Sequence, residues 1–457
     1  MTGKFRILAA AGILLLLLSL TGCRSNPIQP PTSNLGSETA TITPEPPTAG
    51  ITESPRLRTT ETQAPAQTLT STRTNTWTPS PSEESQLDAI SISAGGNHTC
   101  AVFGSFDFDL GLIECWGQNN FGQLGDGTTT DSNKPVELDW GAAAGDFHAV
   151  VAGWAHTCAI GNFVDEDPGD VNCWGYNKNG ELGDGTNLNQ NFPSYSLGLS
   201  GVVSLAAGDD HTCALLDNGS VKCWGDNEFG QLGDGTTNNS NTPVDVKYLV
   251  AGVIAITAGW GHTCALIQDG GVRCWGDNEY GQLGDGTDAP YRSVRGMVGG
   301  LQNDIVAISA GGAHTCALER DGVVMCWGQD NYGQLGDGAA TNRNLPVNVD
   351  MNIDDPAIEL AAGRDYTCAL TRLRKVQCWG GNTSGQLGDG TVITRRLPIV
   401  VDTRGNDILG ITAGWAHTCA AMSKGGVLCW GSNKYGELGN GTNSDSSVPV
   451  EVIGLSS

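Results

Sequence analysis

The sequence predicts an all-β fold, a seven-bladed β-propeller with four-stranded blades, and three observations support this prediction. A unit of about fifty residues repeats seven times from residue 88 onward. Each unit contains four short segments of strand composition, and none of them shows a helical period. The chain has 457 residues, whereas a single core stops growing near about 250–300 residues. Blades that pack on one another around a channel extend the core layer by layer.

The third repeat shows the four predicted strands most clearly. The apolar segment VVSLAAG (residues 202–208) comes first, and HTCALL (211–216) follows it. An Asp-Asn-Gly turn, suited to a hairpin, leads to SVKCW (220–224). The glycine-rich loop GQLGDGT then separates this strand from TPVDV (242–246).

The repeated pattern AGxxHTCAL…GxVxCWGxNxxGQLGDGT resembles the repeat of the regulator of chromosome condensation family, and the match covers residues 88–457. The resemblance implies a seven-bladed propeller whose ring is closed by one blade built from both chain ends. We therefore expect residues 89–95 and 448–453 to share a sheet. Nuclear members of the family are guanine-nucleotide exchange factors, and exported bacterial relatives include an inhibitor of β-lactamases. The paired cysteines resemble the exported bacterial members more than the nuclear ones.

The N-terminal residues 1–22 are predicted to be a lipoprotein signal peptide. Lys4 and Arg6 precede an apolar run at residues 7–20, which is shorter than a membrane span and typical of a secretory signal. The run ends in LTGC, which resembles a bacterial lipobox and implies cleavage before Cys23 with a diacylglyceryl group on its sulfur. An ordinary secretory signal followed by an unrelated cysteine is the alternative interpretation.

Residues 23–87 are predicted to form the lipid-bearing cysteine and a disordered linker. The segment is rich in Thr, Pro and Ser, and Trp77 is its one aromatic residue. Such a composition cannot bury enough apolar surface to offset the entropy of ordering. We expect an extracytoplasmic protein of the bacterial cell envelope that is anchored to a membrane by lipid.

Every repeat contains two cysteines that face each other on neighbouring strands, and three interpretations compete. With the preceding histidine they could bind zinc, they could be a redox centre, or they could form a cross-strand disulfide. In the sixth repeat Tyr366 replaces the histidine while both cysteines remain. Disulfides are therefore favoured, in an exported protein where they persist. The expected pairs are Cys100–Cys115, Cys158–Cys173, Cys213–Cys223, Cys264–Cys274, Cys316–Cys326, Cys368–Cys378 and Cys419–Cys429.

The other repeated residues are predicted to be structural. The histidine before the first cysteine is expected to make a recurring hydrogen bond, and the tryptophan after the second cysteine to pack against the adjacent blade. The aspartates of the GDGT loops are expected to stabilise turns, because the loops lack the ligand spacing of a calcium site. We expect no metal and no cofactor.

Positions that vary between repeats are the candidates for partner binding. The pair of residues between "AG" and "HTC" varies strongly between repeats, and a propeller would display the seven pairs as a ring on one face. Aromatic and arginine side chains are typical interface anchors, although the tryptophan rings could instead pack over the channel mouth. The candidate residues in this ring are Trp154, Asp209, Asp210, Trp260, Arg364 and Trp415.

A second candidate site lies in the first two repeats, whose cysteines are fifteen rather than ten residues apart. The longer hairpin tips carry acidic residues that could meet a basic partner or bind a cation weakly, or could merely be solvated. These residues are Asp107, Asp109, Asp165, Glu166 and Asp167.

The composition and the motifs favour a binding protein over an enzyme. With 49 acidic and 24 basic residues the net charge is −25, which argues against nucleic-acid binding. No Ser-His-Asp set, nucleophilic cysteine or carboxylate pair stands out, so we expect no enzymatic activity. The leading hypothesis is a monomeric module that binds a protein partner through one propeller face. The alternatives are inhibition of an envelope or secreted enzyme and, by family analogy alone, guanine-nucleotide exchange.

Mass measurement before and after reduction tests the cysteine assignment. We expect reduction to add two hydrogen atoms for each of seven bridges and to release no zinc, because the fourteen repeat cysteines are assigned in pairs. Fewer than seven bridges, or a bound zinc ion, contradicts the assignment.

Overall fold

The computed structural model describes residues 9–10, 13–14, 88–105, 108–138, 146–162, 169–287, 289–301, 304–351 and 354–455. The predicted signal peptide, Cys23 and the linker lie outside these ranges, except for two short antiparallel strands, Ala9–Ala10 (β1) and Ile13–Leu14 (β2). In the described ranges no helix has the length and apolar character needed to span a bilayer.

The propeller prediction is confirmed: the described residues from 88 onward form seven antiparallel four-stranded sheets, each made of four consecutive strands. We number these sheets as blades 1 to 7 in chain order. The first strands of neighbouring blades contact one another around the centre of the ring. These innermost strands are Asp88–Ala94 (β3), Asp146–Ala152 (β7), Val202–Ala207 (β11), Val253–Ala258 (β15), Ile305–Ala310 (β19), Ala357–Ala362 (β23) and Ile408–Ala413 (β27).

The second and third strands of each blade form its buried middle. The second strands are His98–Ser105 (β4), His156–Asn162 (β8), His211–Leu216 (β12), His262–Ile267 (β16), His314–Glu319 (β20), Tyr366–Thr371 (β24) and His417–Met422 (β28). The third strands are Phe108–Gly117 (β5), Asp170–Gly175 (β9), Val221–Gly225 (β13), Val272–Asp277 (β17), Val324–Gly328 (β21), Val376–Gly380 (β25) and Val427–Gly431 (β29).

The fourth strand is the outer edge of each blade, and its side chains are mostly half-buried or exposed. These strands are Ser132–Glu137 (β6), Gln190–Tyr195 (β10), Ser240–Asp245 (β14), Tyr291–Met297 (β18), Arg343–Asn348 (β22), Arg395–Val400 (β26) and Ser446–Glu451 (β30).

The register between the second and third strands places the two cysteines of each repeat directly opposite each other. In blade 3, Cys213 faces Cys223 and their Cα atoms are 4.1 Å apart. All seven expected disulfides are present, one in each blade. Both sulfurs of every pair are used in a bridge, so no thiolate of the repeats is left to bind zinc.

The core lies between blades, as predicted from the tryptophans. The tryptophan after the second cysteine is fully buried in every repeat. Trp224 of blade 3, for example, packs in a cluster with Val151 and Leu182 of blade 2. Burying such a ring removes about 150–250 Å² from water, which stabilises the contact by about 4–6 kcal/mol at 25 cal/mol per Å².

A repeated hydrogen-bond network joins each blade to the next, which confirms the structural role expected for the histidines. His211 of blade 3 donates from Nε2 to Thr263 Oγ1 of blade 4 at 2.8 Å. That hydroxyl donates to the backbone carbonyl of Gln231 in blade 3 at 2.9 Å, and Trp275 Nε1 donates to the same carbonyl at 2.8 Å. We call this set of four groups the interblade network.

The interblade network fixes the protonation of its histidines. The threonine hydroxyl donates its single proton to the carbonyl. The proton of the hydrogen bond between the histidine and the threonine must therefore come from Nε2 of the histidine. Nδ1 then carries no proton, and in His98, His156, His211, His262 and His314 it has no partner. Burial, with smaller contributions from neighbouring histidines, lowers the pKa of His211 from 6.5 to about 3. The ring therefore stays neutral.

Blade 6 keeps the interblade network with a different side chain. The hydroxyl of Tyr366 takes the place of the histidine Nε2: it lies 2.9 Å from Thr418 Oγ1 and donates to the backbone carbonyl of His417. Thr418 and Trp430 lie within hydrogen-bonding distance of the carbonyl of Gln386, as in the other blades. The substitution therefore preserves the contact between blades 6 and 7.

The glycine of "AG" is required by the close approach of neighbouring loops. A Cβ added to Gly208 would lie 2.4 Å from the carbonyl oxygen of Gly259 in the next blade and 2.4 Å from Cε1 of His211. Both distances are far below van der Waals contact. A side chain at this position would displace the histidine of the interblade network.

The expectation that both chain ends share a blade is wrong. Residues 89–95 belong to β3, which pairs with β4, whereas residues 448–453 lie in and after β30, which pairs with β29. Each blade is complete from contiguous sequence, so closure does not require a shared sheet.

The ring closes instead through the interblade network between blades 7 and 1. His417 Nε2 lies 2.9 Å from Thr99 Oγ1, and Thr99 and Trp116 both donate to the backbone carbonyl of Glu437, at 3.2 and 2.8 Å. Ala94 N also donates to Thr412 Oγ1 at 3.0 Å. This contact has the same chemistry as the other blade–blade contacts.

Replacing a threonine of the interblade network with valine tests this account of closure. Thr99→Val, at the contact of blades 7 and 1, and Thr263→Val, at the contact of blades 3 and 4, each remove one buried hydroxyl while keeping the shape. We expect both to lower the free energy of unfolding by about 1–3 kcal/mol in denaturant titrations. A stable Thr99→Val variant beside a destabilised Thr263→Val variant contradicts equal contacts around the ring.

Candidate functional site

Two sets of loops form one face of the propeller, which we call the upper face. One set joins the first and second strands of each blade, and the other set joins the third and fourth strands. Both end on the same side because strand direction alternates within a blade. The hairpins between second and third strands lie on the opposite, lower face. The variable residue pairs identified in the sequence are therefore all on the upper face.

The structure brings four of the candidate residues together beside the channel mouth. Trp154 of blade 2 and Trp415 of blade 7 stack with ring centroids 6.1 Å apart and planes inclined by 20°. The guanidinium of Arg364 lies 5.2 Å from the centroid of Trp415 and 5.6 Å from that of Trp260. A cation that faces two indole rings is attracted by both, so Arg364 links Trp415 and Trp260.

Blade 1 permits this stacking because its variable pair begins with glycine. A Cβ added to Gly96 would lie 2.5 Å from the carbonyl oxygen of Trp154 and 2.7 Å from its Cδ1. Blade 1 lies between blades 2 and 7, and its small loop lets Trp154 and Trp415 meet above it. We call Trp154, Trp260, Arg364 and Trp415 the aromatic–arginine cluster.

Asp209 joins this cluster through a hydrogen bond across the channel mouth. Trp415 Nε1 donates to Asp209 Oδ1 at 3.2 Å. Burial raises the pKa of Asp209 to about 7; the hydrogen bond from Trp415 opposes this shift, neighbouring Asp210 adds to it, and Arg364 opposes it. Asp209 therefore changes charge near neutral pH.

The sixth candidate, Asp210, contacts the other upper-face loop of its own blade, which follows β13. Its backbone carbonyl accepts from the N–H of Asp226 at 2.7 Å. Burial, and then the charge of Asp226, raises the pKa of Asp210 to about 6. Asp209 thus contacts the aromatic–arginine cluster, whereas Asp210 contacts the loop that carries Asp226.

Exposure differs within the aromatic–arginine cluster. Trp154 and Trp415 are half-buried, as expected if rings packed over the channel mouth, whereas Trp260 is 52% exposed. The side chain of Arg364 is 44% exposed and lies 3.4 Å from Asp365 Oδ2. Trp154 and Trp415 therefore form the packed part of the cluster, and Trp260 and Arg364 form its accessible part.

Sequence reasoning missed a second set of aromatic residues on the upper face. Five repeats carry Phe or Tyr directly before the GQLG or GELG segment, and this recurrence is the signal that could have found them. The ring centroid of Phe121 lies 5.9 Å from that of Trp154 and 5.0 Å from that of Tyr176. The centroids of Tyr176 and Trp154 are 5.4 Å apart. The five residues are Phe121, Phe229, Tyr280, Tyr332 and Tyr435.

The channel mouth itself is narrow. Its cavity of about 80 Å³ is lined mainly by alanines and glycines of the first strands, with Asp209, Trp260, Arg364 and Trp415 at the edge. Pockets for small organic ligands usually measure about 300–1,000 Å³. The surface around the mouth, rather than the cavity, is the candidate site.

The acidic tips predicted in the first two repeats fall almost entirely outside the described residues. Asp107, Asp165, Glu166 and Asp167 lie outside the described residues, and Asp109 lies in β5 with only its backbone described. Binding by these tips stays a prediction.

The aspartates of the GDGT loops form the turns predicted for them. Asp126 Oδ1 accepts from the N–H and the hydroxyl of Thr128, both at 2.9 Å, and from Asn119 Nδ2 at 3.1 Å. The same bonds recur in blade 3 at Asp234 and Thr236. Over the described part of the chain, no group of three or more His, Cys, Asp or Glu side chains is arranged to hold a metal ion.

Seven cysteine-bridged repeats in a closed ring define a β-propeller of the kind that displays loops on a rigid face. An RCC1-like domain matches residues 161–457, and a regulator of chromosome condensation (RCC1) repeat matches residues 111–160. The chain therefore belongs to the regulator of chromosome condensation repeat family.

Two relatives, one from a plant and one from human, are similar to this chain. The chain is 32% identical over 375 residues to the ultraviolet-B receptor UVR8 of Arabidopsis thaliana, covering 80% of this chain and 82% of that protein. It is also 32% identical over 203 residues to the human E3 ubiquitin-protein ligase HERC2, covering 44% of this chain but only 4% of that protein.

Solved structures share the fold. Human WBSCR16 superimposes with a TM-score of 0.64 at 24% identity, covering 74% of this chain and 87% of that one. Yeast RCC1 (Prp20), solved bound to Kap60, gives a TM-score of 0.64 at 24% identity, covering 75% and 83%.

Titration of the Trp415 indole tests the geometry of the channel mouth. We expect its N–H resonance, identified by its loss in Trp415→Phe, to move with a midpoint near pH 7 as Asp209 ionises. Asp209→Asn should abolish the shift, because an amide does not ionise, and Asp365→Asn should retain it. A shift that persists in Asp209→Asn would place the titrating group elsewhere.

Proposed function

We propose that this protein is a non-enzymatic, protein-binding module of the bacterial cell envelope that engages its partner through the upper face. The observation that carries the proposal is the aromatic–arginine cluster at the positions that vary between repeats. Tryptophan, tyrosine and arginine are the residues most enriched at the energetic centres of protein interfaces. Trp260 and Arg364 supply the accessible part of such a centre.

The loops of the upper face are held in place before any partner binds. The backbone N–H of Trp260 donates to the carbonyl of Gly312 in the next blade at 3.0 Å, and that of Trp415 donates to Gly95 at 3.3 Å. Comparable bonds run from Trp154 to Asp209 and from Arg364 to Gly414. A preorganised face loses little conformational entropy on binding, which favours affinity.

The predicted lipid on Cys23 and the linker would give this face access to envelope partners. Each buried methylene of an acyl chain stabilises membrane binding by about 0.8 kcal/mol. As a random coil, the predicted linker of residues 24–87 would have an average end-to-end distance of about 45 Å. The proposal therefore places the propeller at the membrane with freedom to orient its upper face.

Affinity capture with matched variants tests the proposed binding face. Envelope proteins are captured on the propeller, residues 88–457, and on a triple variant with Trp154, Trp260 and Trp415 changed to Ala. We expect the triple variant to lose at least about tenfold in captured partner, because interface tryptophans each contribute about 2 kcal/mol or more. The control is a triple alanine variant of the exposed lower-face residues Tyr248, Val250 and Leu373.

Two outcomes oppose the proposal. Equal capture by the upper-face variant and the wild type excludes the aromatic–arginine cluster, and loss with the lower-face variant alone moves the site to the other face. The anchor is tested separately with full-length Cys23→Ala, which should pass from the detergent phase to the aqueous phase of a Triton X-114 partition.

A further inference from the structure

The hairpin between the second and third strands of blade 6 differs in chemistry from its counterparts on the lower face. Its turn residues are Arg372, Leu373, Arg374 and Lys375, and all four are exposed. Leu373 is 65% exposed, although its side chain is large and apolar. The turn thus gathers three cations around one apolar residue in a chain whose net charge is −25. We call residues 372–375 the blade 6 tip.

The sister hairpins form the same turn with two residues that blade 6 lacks. In blades 3, 4, 5 and 7 the third turn residue is a glycine with φ between 76° and 97°. These glycines are Gly219, Gly270, Gly322 and Gly425. In blade 3 the second turn residue, Asn218, also accepts from the N–H of Ser220 at 2.9 Å, and aspartates do the same in blades 4 and 5. Blade 6 instead has Leu373 at the second position and Arg374, with φ 60°, at the third.

A buried carboxylate holds the blade 6 tip in its turn. Asp355 Oδ2 accepts from the hydroxyl of Thr371 at 2.7 Å, and its Oδ1 accepts from the N–H of Leu373 at 3.0 Å. The N–H of Arg374 donates to the carbonyl of Thr371 at 2.9 Å, which is the bond that closes the sister turns. A side chain at positive φ strains the backbone, and such strain persists only where the surrounding structure imposes it. The exposed side chains of the tip do not explain the strain by packing, which points to a contact outside the fold.

The cations of the tip are available to an external anion. Within the described part of the chain, neither the two arginines nor the lysine of the tip forms an ion pair. Asp355, the acidic residue that contacts the tip, uses both oxygens in the hydrogen bonds above. Salt screens exposed charges beyond about 8 Å at physiological ionic strength, so the acidic surface elsewhere does not cancel three cations at a contact.

The tip lies on the side of the propeller where the predicted linker enters. The first strand of every blade runs from the lower to the upper face, because the loop that follows it is on the upper face. Asp88 begins β3 and is therefore at the lower face. With a lipid on Cys23, the linker would keep the bilayer within about 45 Å of this attachment point on average.

We propose that the blade 6 tip contacts the surface of an anionic phospholipid bilayer, with its three cations at the headgroup phosphates and Leu373 at the boundary of the acyl region. Basic residues next to a membrane are attracted by anionic lipids, and an exposed apolar side chain among them adds burial in the interface. That a bilayer lies within reach rests on the envelope location in the proposed function. The upper face, with the aromatic–arginine cluster, would then be directed away from the membrane.

The shape of the tip favours a bilayer over a single bound anion. Consecutive side chains diverge from a tight turn, so the cations cannot enclose one phosphate, whereas a membrane offers many phosphates over an extended surface. Three cations and one leucine form a weak contact by themselves. A tether raises the effective concentration of the second contact, so a weak contact is sufficient to orient an anchored propeller.

Co-sedimentation with vesicles tests the proposal on the chain from residue 23 onward with Cys23→Ser, which lacks the lipid and keeps every strand of the seven blades. We expect binding to vesicles of phosphatidylethanolamine and phosphatidylglycerol, about 7:3, to be at least about tenfold tighter than to phosphatidylcholine vesicles. Lys375→Glu should weaken binding to the anionic vesicles at least about fivefold. Lys434→Glu, the same change in an upper-face loop, should stay within about twofold of the parent chain.

Arg374→Gly separates the function of the tip from its folding. Glycine restores the residue of the sister turns, so the midpoint of thermal unfolding should stay the same or rise. Binding to the anionic vesicles should nevertheless fall by about threefold or more, because one cation is lost. Leu373→Ala should weaken binding by a similar factor, since less apolar surface enters the interface.

Four results would overturn the proposal. They are equal effects of Lys375→Glu and Lys434→Glu, equal binding to phosphatidylcholine and anionic vesicles, full vesicle binding by a folded Arg374→Gly variant, and loss of a captured envelope protein from Leu373→Ala with vesicle binding intact. The last result assigns the tip to a protein partner. A chain that captures its partner through the aromatic–arginine cluster but ignores anionic vesicles refutes the membrane contact alone, and one that binds vesicles but captures no partner refutes the proposed function alone.

Discussion

The propeller depends on one backbone carbonyl per blade, contributed by the Gln or Glu that precedes the leucine of the GQLG or GELG loop. It is buried, and it accepts from a threonine hydroxyl and a tryptophan N–H of the next blade. A carbonyl in an apolar interior must have donors, so the neighbouring blade is held in a fixed position. The histidine, the glycine beside it and the tryptophan are constrained because they serve or surround this carbonyl. Most of the repeat pattern follows from that requirement.

The requirement for donors to this carbonyl also explains why the upper face is rigid and yet varies between repeats. The variable pair lies between the glycine and the histidine of the interblade network, so its backbone is fixed on both sides. Its side chains take no part in the interblade network, although those of the aromatic–arginine cluster contact one another between blades. Trp260 and Arg364 can therefore differ from the residues of the sister blades without cost to the ring, whereas Gly208 and His211 cannot.

Comparison between repeats was sufficient to predict the fold, the seven disulfides and the structural role of the histidines, since Tyr366 separates the histidine from the cysteines. It could not predict how the ring closes, because the contact of Thr99 with His417 joins residues 318 apart and resembles the other contacts only in three dimensions. The stacking of Trp154 on Trp415 depends on the missing side chain of Gly96 in the intervening blade.

Each blade is built from contiguous sequence, and the contact between blades 7 and 1 is equivalent to the other blade–blade contacts. The ring should therefore form whichever of the connections between blades is left open. The strands of each sheet follow one another in the chain, and no covalent bridge passes between blades. A circular permutation that joins residue 455 to residue 88 and opens another interblade connection would keep every sheet and every disulfide. Blade order along the polypeptide can thus change while the arrangement of side chains on the face stays the same.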